Sequence, residues 1–307
     1  MKRDSRRDVA APAIIGRGTV GASPSSGADD SGTRSSPGWH ARLDLRFARD
    51  GDRTVLASRR HDGPLRVQKP LYPEGPGVCQ VIVVHPPGGI VGGDVLAIAV
   101  DAGGATRVQL TTPGAAKWYR SAGPVASAET TLRARSAAFV EWLPQETLLY
   151  DGSRSVARIT VELEGDARFI GWDVVCLGRV ASGERYASGS LAQSIDVLRD
   201  GTLVWCERTR LEGGSAALQS GAMFGGAPVF GTMIAAGGEL ADGLLAACRG
   251  VTCAEGEGAV TRLRAALVAR YRGSSAAAAR TYFASLWRVL RPAFAGRAAV
   301  PPRIWST

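Results

Sequence analysis

A mainly β architecture with a small helical C-terminal part is what this sequence predicts. Short apolar runs follow one another from Trp39 to Leu211, turns rich in Gly, Pro, Asp and Ser separate them, and long helical periodicity is absent until residue 239. Many short strands without regular βαβ alternation disfavour doubly wound and TIM-barrel folds. With 45% hydrophobic and 21% charged residues among 307, the chain can bury a sizeable core, and global disorder is not expected.

Residues 1–37 are Ser/Gly/Pro/Asp-rich without periodicity and read as a disordered tail, so the fold is expected over residues 38–307. It begins at Trp39, where Trp39, Ala41, Leu43, Leu45 and Phe47 alternate with His40, Arg42, Asp44 and Arg46. That period of two marks a half-buried strand. Strand-like runs follow at Thr54–Ser58, Leu65–Lys69, Val78–His85, Val95–Val100, Thr106–Thr112, Thr130–Arg135 and Phe139–Leu143. Further runs are Val156–Glu164, Arg168–Leu177, Leu191–Leu198 and Leu203–Leu211. Glu239–Arg249 and Ser275–Leu290 are the helix candidates, the second expected to stop before Pro292. Alternating Leu263, Ala265, Leu267, Ala269 and Tyr271 make Val260–Tyr271 a strand. No repeat has a fixed period, so spacing alone does not point to a regular solenoid.

The formal charge of +9 invites a nucleic-acid reading, but Arg is spread along the chain with acids beside it and no run of five like charges occurs. An acidic protein partner accounts for the surplus equally well. The five cysteines include no CxxC pair. Cys79, Cys176 and Cys206 sit in apolar runs and read as buried thiols, and Cys248 and Cys253 have no second pair with which to hold zinc. Reduced thiols fit a cytosolic protein. The apolar stretch Val9–Ile15 is short and broken by Pro12, so a secretory core is not expected. Nor does any segment approach the roughly twenty apolar residues that span a bilayer. The sequence is read as soluble and cytoplasmic, with no nucleic acid or membrane partner.

The densest turn chemistry lies in three blocks, GPLRVQKPLYPEG (63–75), HPPGGIVGGD (85–94) and TTPGAAKWYRS (111–121). None is a phosphate loop: Lys117 follows two alanines and precedes Trp118, and GGIVGG does not fit GxGxxG. No GxSxG elbow occurs, and the three histidines, His40, His61 and His85, have no evident nucleophile partner. His85 reads as a hydrogen-bonding strand end, with a transient nickel contact as the sharper alternative, since imidazole suits nickel.

Carboxylates offer more. Asp94 follows two glycines, Asp173 interrupts the apolar run Phe169–Leu177, and Glu207 follows Val204-Trp205-Cys206. A carboxylate in an apolar strand needs a partner or water. One reading pairs these acids with a nearby Arg such as Arg179 or Arg208. The other lines a wet interior passage with them, where oxygen ligands hold a divalent cation weakly enough to release it. Spacing does not choose between the two. Trp118–Arg120 and Arg303–Trp305 resemble interface anchors, whereas Trp142 reads as core.

Together with EWLPQET (141–147), IGWDVVCLGR (170–179) and LRPAFAGRAAVPPRIWST (290–307), the three blocks make residues 38–307 closely resemble one family, the urease accessory protein UreD (UreH in some organisms). The resemblance implies a β-rich, helix-like stack of strands with a small C-terminal helical part. It also implies a non-catalytic scaffold in nickel urease maturation, which binds apo-urease and recruits UreF, through which the GTPase UreG joins. The cargo would be nickel(II), with no stably bound cofactor. Family models propose a water-filled passage for it, whose acids correspond by motif to Asp94, Asp173 and Glu207. The chain departs from the family at Ala116, where members often carry a hydroxyl residue, and at Cys79-Gln80, where many have Cys-His. A pure interaction scaffold without a metal path remains the rival reading.

Overall fold

The computed structural model describes residues 38–238 and 240–306. The tail expected over residues 1–37 therefore lies outside the described residues. Seventeen strands and two α-helices follow in the order β1 (His40–Asp50), β2 (Arg53–Asp62), β3 (Arg66–Val67), β4 (Cys79–Val84), β5 (Val95–Ala102) and β6 (Arg107–Thr111). Next come β7 (Ala116–Trp118), β8 (Ala126–Ala134), β9 (Phe139–Leu143), β10 (Thr147–Leu149), β11 (Arg154–Leu163) and β12 (Arg168–Leu177). The chain ends with β13 (Ser190–Arg199), β14 (Thr202–Glu212), β15 (Val229–Ala236), α1 (Asp242–Arg249), β16 (Glu257–Arg262), β17 (Ala266–Gly273) and α2 (Ala276–Ala295).

The strands stack as a solenoid. From β5 to β12 the chain alternates between two sheets, and each new strand lies parallel beside its counterpart from the previous coil. The first sheet runs β14-β13-β11-β8-β5-β1-β2 and the second β16-β17-β15-β12-β9-β6-β4-β3, with β7 and β10 forming a short strip beside β12. Val95 lies against Ser127, Ser127 against Val156 and Val156 against Ala192. The coils thus differ in length, which explains a stack with no fixed sequence period. Antiparallel strands close the stack: β2 on β1, β14 on β13, and the β15-β17-β16 group on β12.

Two apolar layers hold it. Leu43, Phe47, Val81, Leu110, Leu132 and Val197 fill the space between the sheets. On the outer face of the second sheet Phe139, Ile170 and Met233 pack against Phe283, Leu286 and Trp287 of α2. Strand β15, which no expected run covers, serves both layers: Phe230, Ile234 and Ala236 enter the first and Val229, Met233 and Ala235 the second. All eight of its residues are buried, so no polar alternation remains.

Two helical and strand boundaries differ from expectation. The strand expected over Val260–Tyr271 is a hairpin, β16–β17, closed where the Leu263 N–H donates to the Ala266 carbonyl at 2.8 Å. Helix α2 runs past Pro292 to Ala295 and stops at Gly296, whose φ of 65° is left-handed. Proline removes one backbone bond there. The last turn survives because Leu290 and Phe294 are fully buried and the Arg168 Nη1 donates to the Phe294 carbonyl at 2.9 Å.

Candidate functional site

Between the two sheets, at the end nearest the Gly-rich block, lies a cavity of about 380 Å³. Its origin is visible in the register. Leu96, Ala128, Ala157 and Gln193 share one inward-facing row across β5, β8, β11 and β13. Two alanines at the middle of that row leave space that larger side chains fill elsewhere in the core. Ile98, Ala128, Ala157 and Ile159 point inward on central strands yet are only half-buried, so the cavity is open to water. Most of its wall is apolar, with His85, Thr130, Asp173 and Gln193 among the polar groups that a water entering it would meet.

Asp173 and Gln193 meet across it, one from each sheet: the Gln193 Nε2 donates to the Asp173 carboxylate. Among the described residues no guanidinium or ammonium pairs with Asp173. Burial is the main reason its carboxyl is pushed up to about 6, the Gln193 bond opposing and the Glu207 charge adding to the rise. His85 lines the same cavity from the end of β4. Burial holds the His85 imidazole below its ordinary pKa and the Asp94 charge only partly offsets this, so it is neutral at pH 7 with a nitrogen lone pair available.

Asp94 and Glu207 do not line the cavity. Asp94 closes a turn: its Oδ2 accepts the Val91 N–H at 2.9 Å and its Oδ1 the Trp39 N–H at 2.8 Å. The turn lets the segment Gly38–Trp39 lie on the Gly-rich block, and only glycine fits at position 38. A Cβ on Gly38 would stand 2.0 Å from the Gly93 carbonyl carbon. Glu207 is inward-facing and receives a bidentate pair from Arg270, at 3.1 and 3.2 Å, and the Thr232 hydroxyl at 3.0 Å. Asp173, Thr232 and Arg270 are register neighbours on β12, β15 and β17, so the acid-rich end of the cavity is one connected polar row.

The sequence-based pairing with Arg179 or Arg208 is corrected accordingly. Arg179 binds Glu184 and Arg208 binds Asp196, both on the outside, because their side chains point away from the interior. Three further expectations change. Trp118 is 3% exposed and is core, not an interface anchor. Trp305 folds back between Trp172 and Trp287, and its Nε1 donates to the Thr111 hydroxyl at 2.9 Å. Cys206 is exposed because it shares an outward row with Asp196, while Cys79 and Cys176 are buried as expected and Trp142 is core.

The polar cluster that sequence reading missed lies on the other face of the second sheet. Gln80, Gln109 and Glu141 form a ladder across β4, β6 and β9, in register and hydrogen-bonded along its length. Helix α2 is bolted to it: the Trp287 Nε1 donates to Glu141 at 2.6 Å and the Arg291 Nε at 2.9 Å. Arg291 also grips Glu74 with two bonds of 2.7 and 2.8 Å. The signal was present, since Glu141 interrupts an apolar run as Asp173 does.

Among the described residues no three His, Cys, Asp or Glu side chains come together as a metal cluster, and no helix is long and apolar enough to cross a membrane.

The family model described as UreD urease accessory protein matches residues 40–306. The chain belongs to the UreD family. It is 51% identical over 276 residues to the urease accessory protein UreD of Dechloromonas aromatica (strain RCB), covering 89% of this chain and 96% of that one. It is 52% identical to the UreD of Azoarcus sp. (strain BH72), over 88% and 95% of the two chains, and 51% identical to that of Pseudomonas aeruginosa, over 88% and 96%. The family is one of urease accessory proteins, non-catalytic maturation factors. The departures noted in this chain have different structural weight. Ala116 lines the cavity, so the missing hydroxyl is a wall group, whereas Gln80 belongs to the buried ladder beneath α2.

Proposed function

We propose that this UreD-family chain acts in the cytoplasm in a complex with UreF, UreG and apo-urease, and assists nickel delivery by passing hydrated nickel(II) through its interior. UreG joins through UreF, and GTP hydrolysis belongs to UreG. The observation that supports a metal path is Asp173: a carboxylate without a cationic partner among the described residues, facing an open cavity inside the protein. Such a group attracts a divalent cation, and a single carboxylate with a neutral imidazole in the same cavity holds it weakly enough to release it. Glu207, beyond the cavity lining and paired with Arg270, is a second carboxylate close enough to raise the Asp173 pKa. Asp94 shapes the loop that carries His85 and adds charge close to it.

The rival reading, a scaffold without a metal path, draws support from the saturation of Asp94 by backbone donors and of Glu207 by Arg270. The two readings part in one experiment. Asp173→Ala, His85→Ala, Asp94→Ala and Glu207→Ala chains are co-purified with UreF and apo-urease, and nickel-dependent urease activation is then measured. A passage requires complexes that assemble normally but activate less. Any single variant that activates as the parent does removes that residue from the path.

A further inference from the structure

Four arginines gather at one corner of the solenoid, on the outer side of the second sheet near the C-terminal end of α2, and among the described residues none forms an ion pair, although Arg168 acts on Asp166 from a distance. Arg107 begins β6 and Arg168 begins β12, and both flank Phe139 of β9 in one register row. Arg49 lies opposite Thr54 in the β1–β2 hairpin, and the Thr54 hydroxyl accepts the Arg107 backbone N–H at 3.1 Å. The same hydroxyl donates to the Gly77 carbonyl at 2.9 Å. Arg297 reaches into the same loop, where its Nη1 donates to the Glu74 carbonyl at 2.9 Å. Thr54 and the loop 74–77 thus tie all but Arg168 together, and Arg168 is fixed from the other side by its bond to Phe294.

The acids nearby do not neutralise this corner. Glu74 and Glu141 are committed to Arg291, and Asp166 accepts the Ser136 hydroxyl and the Ala137 N–H. Asp50 and Asp52 are exposed in the hairpin turn and form no ion pair. Arg107, Arg168 and Arg297 are half-buried, and only Arg49 is exposed. Partial burial, with the charges of Arg297, Arg49, Arg291 and Arg168, holds the Arg107 pKa below its ordinary value. A recessed guanidinium surrounded by like charge is destabilising unless something anionic sits on it.

We propose that this corner is a binding site for a compact, multiply charged oxyanion of the phosphate class, with Arg107 at its floor and Arg49, Arg168 and Arg297 around it. Guanidinium forks match the oxygens of such an ion in geometry as well as charge. Arg49, Arg168 and Arg297 all bear electrostatically on Arg107, and one compact ion placed there answers all four charges, whereas an extended acidic segment would spread its own.

The test is calorimetric titration and thermal melting of the full-length chain with inorganic phosphate and pyrophosphate, against NaCl of matched ionic strength. Saturable binding is expected, with Arg107→Gln weakening it by about tenfold or more, the loss of a charge-assisted hydrogen bond. Because Arg107 has no partner to abandon, Arg107→Gln should melt no lower than the parent without phosphate and should lose the phosphate-induced rise. If that variant does not fold, Arg49→Gln gives the same readout from an exposed position. A melting rise equal to that from NaCl, or undiminished binding by the variants, overturns the proposal. So does binding of an octaglutamate peptide without binding of phosphate, which would assign the corner to an acidic protein segment.

Discussion

Replacing Asp173 by Asn should make the folded chain more stable at neutral pH while lowering urease activation. The Asp173 carboxyl is pushed up from its ordinary 3.8 to about 6. Each unit is worth about 1.4 kcal/mol, so the ionised form costs the fold about 3 kcal/mol, an upper figure because cavity water screens the charge. The sign follows from proton counts. Between about pH 4 and 6 the folded chain holds a proton there that the unfolded chain has lost, so stability from this group falls as pH rises and stays low above 6. Asn has no such titration, yet its side-chain oxygen still accepts the Gln193 amide. The variant should therefore melt with the parent at pH 4 and above it at pH 7.5, by roughly 5 °C for a gain of 2 kcal/mol. Calorimetric melting at the two pH values measures this. A melting difference independent of pH, or a variant less stable at pH 7.5, would refute the account of Asp173 as an unpaired interior charge.

Two other substitutions probe the surroundings. Arg291→Met should cost about 3–5 kcal/mol in urea unfolding, because it leaves Glu74 and Glu141 buried without their cation. A loss below 1 kcal/mol would mean that the pair is dispensable to the docking of α2. Gly38→Ala should cost about 1–3 kcal/mol locally, since its Cβ would meet the Gly93 backbone. Hydrogen exchange at the amides of Trp39 and Val91 should quicken with little change in global melting, and unchanged exchange would contradict the close approach.

What was legible in the sequence followed from one-sided burial. β1 alternates because one face meets the core and the other meets solvent, and its bounds came out nearly complete. β15 went unmarked although β9 and β12, also covered on both faces, were read from their apolar runs, and β7 and β10 went unmarked because three residues carry no period. The stack itself is formed by in-register pairing between coils of unequal length, which no fixed repeat records. For the site, residue type flagged Asp173 correctly as an interior carboxylate. It could not tell that Arg270, far along the chain, would take Glu207, or that Asp94 would spend both oxygens on backbone donors.

Glu141 and Asp173 make the distinction concrete. Both interrupt apolar strands of the same sheet, one on each face, and the sequence around them gives the same signal. Glu141 accepts hydrogen bonds from Trp287, Arg291 and Gln109, so its charge is spent on fastening α2 to the stack. Removing it should damage folding first and function only as a consequence. Asp173 has the Gln193 amide and the Val174 backbone N–H but no cation, and at neutral pH its charge opposes folding. A fold that depended only on packing would gain by losing it. A carboxylate that lowers stability and faces an open cavity directs attention to what that cavity takes in. Under the proposed function that entrant is nickel, and stability and activation should therefore move in opposite directions at Asp173 and together at Glu141.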